Sequence, residues 1–281
     1  MQLLMKVLLL VVLIGLFKAI AYEHSNQAVW YDVDDECSLD RQSPIELNYH
    51  DAHESSGIHP ITFNNYNIPY ITPSQIKNNG HSADLQFSKS NVATISGGPL
   101  HNDIYVAESL HFHWGSGDNH GSEHVVGYLR YSMEMHIVHR NMKYPTVTEA
   151  VNHRDGLAVL GVFYNVEPSA NNFEGLSKID QALGAIQQYN SSTLVNNLIL
   201  EKLFDDIDKD EFFTYKGSLT TPPCSRAVTW IVFPEPIYIS TQQIQGLRSL
   251  YDSRGEPLLN NYRFLQAKGT RQVFFRPNNE L

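Results

Sequence analysis

The stretch Tyr105-Val106-Ala107-Glu108-Ser109-Leu110-His111-Phe112-His113-Trp114 decides how this chain is read. Successive side chains of a β-strand point to opposite faces. Ser109, His111 and His113 therefore share one face, and Leu110, Phe112 and Trp114 share the other. A polar row backed by an apolar row is a strand with one side in a core. Two histidines at i and i+2 can aim their ring nitrogens at one point and offer two ligands to one metal ion. Met133–His139 alternates in the same way, placing Glu134, His136 and Val138 opposite Met135, Ile137 and His139. If the two strands are neighbours, His136 supplies a third imidazole. Three neutral imidazoles suit zinc, and three protein ligands leave a fourth tetrahedral position open, which marks a catalytic rather than a structural site. A His-x-His pair alone is more often a pair of surface or hydrogen-bonded core histidines; the third histidine and the acid on its face raise the odds of a metal.

Outward from this stretch the signal stays mostly β. Strand-like runs bounded by Gly, Pro, Asn and Ser turns recur at Asp84–Ser88, Val125–Tyr131, Leu157–Asn165 and Ala227–Phe233. Helical spacing appears twice. Phe173, Leu176, Ile179, Leu183 and Ile186 recur at three- and four-residue steps, as do Ile244, Leu247 and Leu250 after Ser240 as N-cap. No repeat or linker divides the chain. The expected fold is mainly β (α+β): a single domain, residues 22–281, around a large, mostly antiparallel twisted sheet with a few short peripheral helices and the metal site in a central cleft.

The chain has 281 residues, 42% hydrophobic and 18% charged, which excludes disordered, collagen-like and disulfide-dense small-protein classes. Met1–Lys6 is a short basic start, Val7–Phe17 is apolar apart from Gly15, and Ala19-Ile20-Ala21 is a peptidase-type site. Residues 1–21 read as a signal peptide, too short in its apolar run for the roughly 20 residues of a bilayer-spanning helix. The tail Arg276-Pro277-Asn278-Asn279-Glu280-Leu281 is polar, so the expectation is a secreted protein without a membrane anchor. Without Lys6 and Lys18 the mature chain holds 18 basic against 30 acidic residues, a net charge of −12. Such a chain repels phosphate backbones and is not expected to bind nucleic acid. Cys37 and Cys224 read as one disulfide in an oxidising compartment, with two buried free thiols as the alternative. Asn190-Ser191-Ser192 is a glycosylation acceptor.

Several blocks, taken together, resemble the α-class carbonic anhydrases of the secreted type. They are Arg41-Gln42-Ser43-Pro44-Ile45, Asn78-Asn79-Gly80-His81, Leu110-His111-Phe112-His113-Trp114-Gly115, Gly121-Ser122-Glu123-His124, Glu134-Met135-His136-Ile137-Val138-His139, and Gly217-Ser218-Leu219-Thr220-Thr221-Pro222-Pro223 with Trp230. They follow the family's order from about Trp30 to Phe275. The resemblance implies reversible hydration of carbon dioxide to bicarbonate and a proton, by attack of a hydroxide on zinc held by His111, His113 and His136. It implies that Thr220 accepts from that hydroxide while donating to Glu123, and that His81 shuttles the proton. It places Val138, Val159, Leu219, Thr220, Thr221, Val228 and Trp230 at the substrate pocket, and pairs Cys37 with Cys224. Three departures stand out. Ser109 occupies the place of a glutamine that orients the first zinc histidine. The segment before Trp30 is short, so that Tyr22 takes the place of the family's active-site tyrosine, and the tryptophan preceding it is missing. The competing expectation is a catalytically silent, carbonic-anhydrase-like binding protein; such relatives usually lack zinc histidines that this chain keeps.

Overall fold

The computed structural model describes residues 22–278, and the expected signal peptide lies outside them. Twelve strands form one sheet. Along its main path they run Ser192–Val195, Ser74–Asn78, Ala83–Gln86, Tyr105–Trp114, Met133–Asn141, Leu157–Val166, Val228–Ile239, Phe212–Gly217, Val273–Arg276 and His53–Glu54. Neighbours on this path are antiparallel except Leu157–Val166 with Val228–Ile239 and Val273–Arg276 with His53–Glu54. Leu157–Val166 is apolar on both faces, and all of it except Asn165 is buried, as a strand near the middle of a covered sheet must be.

The alternation read from the sequence sorts the strands between two cores. Leu110, Phe112, Trp114, Met135 and Ile137 are fully buried in the larger apolar cluster. Val159, Phe163, Val228, Trp230 and Val232 belong to the second, with Val138 and Leu219 packed against it. The larger cluster is closed by the two helical segments. The first is a short 3-10 turn, an α-helix over Ser177–Leu183 and another 3-10 turn, burying Leu176, Ile179, Leu183 and Ile186. The second is Thr241–Arg248, where the Ser240 hydroxyl accepts from the Gln243 N–H in a capping box.

Two strand expectations need correction. Val125–Tyr131 is not one strand: only Val125–Val126 is extended, pairing with Glu46–Leu47 in a separate two-stranded sheet. Gly127 and Tyr128 both take positive φ, 53° and 72°, and Val126 and Leu129 exchange backbone hydrogen bonds across them, which turns the chain back. The run from Ala227 continues instead to Ile239, past Pro234 and Pro236, because the register with its neighbour shifts between Val162 and Tyr164. That irregularity accommodates residues that have no N–H to donate.

Cys37 and Cys224 form a disulfide across 187 residues of chain, buried against Trp30 with Tyr22 beside it. Closing so long a loop stabilises the fold by roughly 5 kcal/mol in the chain-entropy description.

Candidate metal centre

In the sheet His111 lies directly opposite His136, and His113 opposite Glu134. This is the neighbour relation on which the third imidazole depended. The ring centroids of His111, His113 and His136 are 4.6–5.2 Å apart, and one ligand nitrogen from each lies within 4.8 Å of the others.

Each of two rings is fixed by an acceptor on its far side. His113 Nδ1 donates to the carbonyl of Asn261 at 2.8 Å, and His136 Nε2 donates to Glu134 Oε1 at 2.7 Å. These bonds place the protons and leave His113 Nε2 and His136 Nδ1 as lone pairs, 3.1 Å apart and buried. Two acceptors facing each other with no proton between them repel, and a cation shared with His111 relieves that repulsion. Burial keeps His111 well below the usual imidazole pKa and brings His113 down to about 3, with the neighbouring imidazoles adding to both shifts. Neutral rings are the form that binds metal. The donor set therefore fits zinc.

His111 differs from its partners. No hydrogen bond reaches its ring among the described residues. Ser109, two residues earlier, makes no side-chain bond to it. Asp84 is its cross-strand neighbour, yet the Asp84 carboxylate accepts from Gln86 Nε2 at 2.7 Å instead.

Glu134 is wholly buried and fully bonded. Its Oε1 accepts from His136 and from His124 Nδ1, and its Oε2 accepts the backbone N–H groups of Glu123 and His124, all at 2.7–2.8 Å. Burial pushes its pKa up, but His124 and His136 overcome this and hold the carboxyl well below its usual range. His124, Glu134 and His136 also cluster as metal ligands would. Here the imidazole-to-carboxylate gaps are filled by hydrogen bonds, and Gly161 opposite His136 leaves room for them: a Cβ there would sit 3.1 Å from Glu134 Oε1.

Glu123 is equally buried but less satisfied. Its Oε1 accepts the Arg263 N–H at 2.7 Å, while Oε2 has no hydrogen bond of ordinary geometry. Burial raises its pKa to about 7; the imidazole of His136 and the nearby Thr220 side chain act in the opposite direction, and Glu134 adds to the rise. A dication at the three histidines would favour the ionised form.

His81 lies outside the cluster, half-buried and stacked on Tyr22 at 4.1 Å between centroids. Its loop is shaped by Asn79, whose Oδ1 accepts the N–H groups of His81 and Ser82. Burial lowers the His81 pKa, with Asp252 and Glu23 opposing. Burial raises the Tyr22 pKa, and the nearby Thr221 side chain opposes the rise. Val138, Val159 and Trp230 are consecutive cross-strand partners, and Val228 and Leu219 belong to the same apolar cluster. Trp230 packs on the His136 ring at 4.7 Å. Asn190 is exposed, in a turn where it takes a φ of 67°.

Sequence reasoning missed two residues that hold this site. Asn261, fully buried, gives its carbonyl to His113, its Oδ1 to the Trp114 N–H and its Nδ2 to the carbonyls of His81 and Phe112. Arg263 presents its N–H to Glu123 and its guanidinium to Gln42, Ser43 and Cys37. No motif flags either one.

A family model of eukaryotic-type carbonic anhydrases matches residues 25–277. The chain is 36% identical over 251 residues to a putative carbonic anhydrase 3 of Caenorhabditis elegans, covering 86% of this chain and 95% of that protein. It is 35% identical over 246 residues to carbonic anhydrase 3 of Bos taurus, covering 86% and 91%.

Proposed function

The chain belongs to the eukaryotic-type carbonic anhydrase family, and on that premise we propose that it hydrates carbon dioxide reversibly to bicarbonate and a proton, using zinc held by His111, His113 and His136. The observation that carries the reading is the pair of converging lone pairs on His113 and His136, each left by a proton committed to a buried acceptor. Zinc bound there supplies Lewis acidity that brings water to its nucleophilic form near neutral pH, a chemistry for which carbonic anhydrases are themselves the reference case.

The residues around the site do the rest. Glu123, as a carboxylate, only accepts, so the Thr220 hydroxyl donates to it and is left able only to accept from the reacting oxygen. That directionality holds the nucleophile's remaining lone pair toward the substrate. Val138, Val159, Leu219, Val228 and Trp230 offer carbon dioxide an apolar wall next to His136, and Thr220 and Thr221 form the polar edge. His81 takes the released proton through its ring at the mouth of the cleft, since imidazole titrates near the working pH. The disulfide supports an oxidising, extracellular setting for a mature chain of residues 22–281, with Asn190 as its glycosylation site.

Stopped-flow carbon dioxide hydration by the wild type and by His111→Ala tests this directly. Rapid turnover that is lost in the variant is expected. Equal activity in both, or none in either with zinc bound, overturns the proposal. His81→Ala is expected to turn over slowly in weak buffer and to recover with added imidazole.

A further inference from the structure

A cavity of about 710 Å3 opens beside the Phe212–Gly217 and Val273–Arg276 strands, and none of the residues assigned above to the catalytic cleft lines it. Its size is that of a small-molecule site. Arg41, Lys216 and Arg271 line it together with His59 and His101, and no carboxylate does. On a chain with ten more acidic than basic residues, a concave wall carrying only positive formal charge is unexpected.

The cations are also poorly neutralised. Lys216 and Arg271 have no ion pair among the described residues; the lysine donates only to Thr229 Oγ1 at 2.6 Å. Arg271 is held by the carbonyls of Lys268 and Ala267, lies over the Tyr215 ring, and keeps a buried Nη1 without a hydrogen-bond partner. Burial lowers the pKa of both groups, so each is charged at some cost that a counter-ion would remove; Asp155 and Asp103 act on Lys216, and Tyr215 and Asp40 on Arg271, in the opposite sense. Arg41, at a φ of 60°, is 3.8 Å from the exposed Asp40. A smaller neighbouring cavity of about 310 Å3 shares Arg41 and Lys216 and adds Arg154 and Arg226, the latter already paired with Asp40 at 2.8 Å and Glu36 at 3.5 Å. Its one acid, Asp155, already accepts from Tyr144 at 2.7 Å.

Ile58, Pro99 and Phe274 also line the larger cavity, and an inorganic ion would leave these apolar side chains unused. We propose that the cavity binds a small organic carboxylate, its charged end paired with Lys216 and Arg271 and its apolar body against Ile58, Pro99 and Phe274.

The test is an amide-detected NMR titration of the zinc-loaded protein with benzoate, repeated with acetate and chloride and with the variants Lys216→Gln and Arg271→Gln. Saturable shifts at residues 214–216 and 270–274 are expected. Removing one charge-assisted partner should weaken benzoate about tenfold or more. Lys216 makes a single side-chain hydrogen bond among the described residues, so its variant stays informative if the Arg271 variant misfolds. Shifts confined to the neighbourhood of His111, His113 and His136, or unchanged benzoate affinity in Lys216→Gln, overturn the proposal. Chloride binding there as tightly as benzoate overturns the organic ligand, and acetate binding as tightly overturns the role given to the apolar side chains.

Discussion

His113 and His111 sit two residues apart on one strand and face the same cleft, yet the protein treats them differently. His113, like His136 across the sheet, hands its proton to a buried acceptor and is held in one tautomer and one orientation. His111 has no such acceptor; Ser109 is too short to reach round to it and Asp84 is engaged by Gln86. Acceptors behind metal-binding histidines typically change affinity by about 10- to 100-fold when removed. The half of the site built on His113, His136 and Glu134 is therefore expected to define where the metal goes, while His111 closes on it.

The largest effect that bears on this contrast is loss of a ligand from the braced half. His136→Ala should reduce hydration by about a thousandfold or more, because without metal the water pKa returns toward its bulk value. It should also weaken zinc binding, read by chelator competition, more than His111→Ala does. Equal losses of affinity would break the comparison. Next comes the brace itself. Glu134→Gln keeps the shape but removes the charge that accepts four hydrogen bonds, and zinc affinity should fall by about 10- to 100-fold with the fold retained by circular dichroism. The smallest effect tests the unbraced half from the other side. Ser109→Gln supplies a longer side chain on the His111 face and should tighten zinc by up to about tenfold. No change on that substitution would mean that His111 is already held well enough by packing.

A second contrast concerns what could be read in advance. The faces of Tyr105–Trp114 and Met133–His139 were legible residue by residue: Leu110, Phe112, Trp114, Met135 and Ile137 are in the larger core, and His111, His113 and His136 bring their ring nitrogens together. The Ser240 cap and the helical segments around Ile179 and Ile244 were legible for the same reason, since caps and amphipathic spacing are short-range patterns. Val125–Tyr131 was misread because its apolar residues suggested an extended strand while the backbone of Gly127 and Tyr128 turned it. Gly-Tyr carries a weaker turn signal than Asn-Gly or Asp-Gly. At the site, Arg263 was invisible because its decisive contact with Glu123 is through its backbone N–H, which almost any residue possesses.

The amino-acid sequence by itself determined which side chains share a face, and with them a triad of imidazoles beside an acid, because the two-residue period of an extended backbone is a local property. Only the tertiary structure decided that His111 stands opposite His136, that Glu134 is shared by His136 and His124, and that His113 is oriented by a carbonyl 148 residues away. Register and backbone acceptors depend on how distant segments meet, and a carbonyl oxygen carries no trace of side-chain identity in the sequence that supplies it.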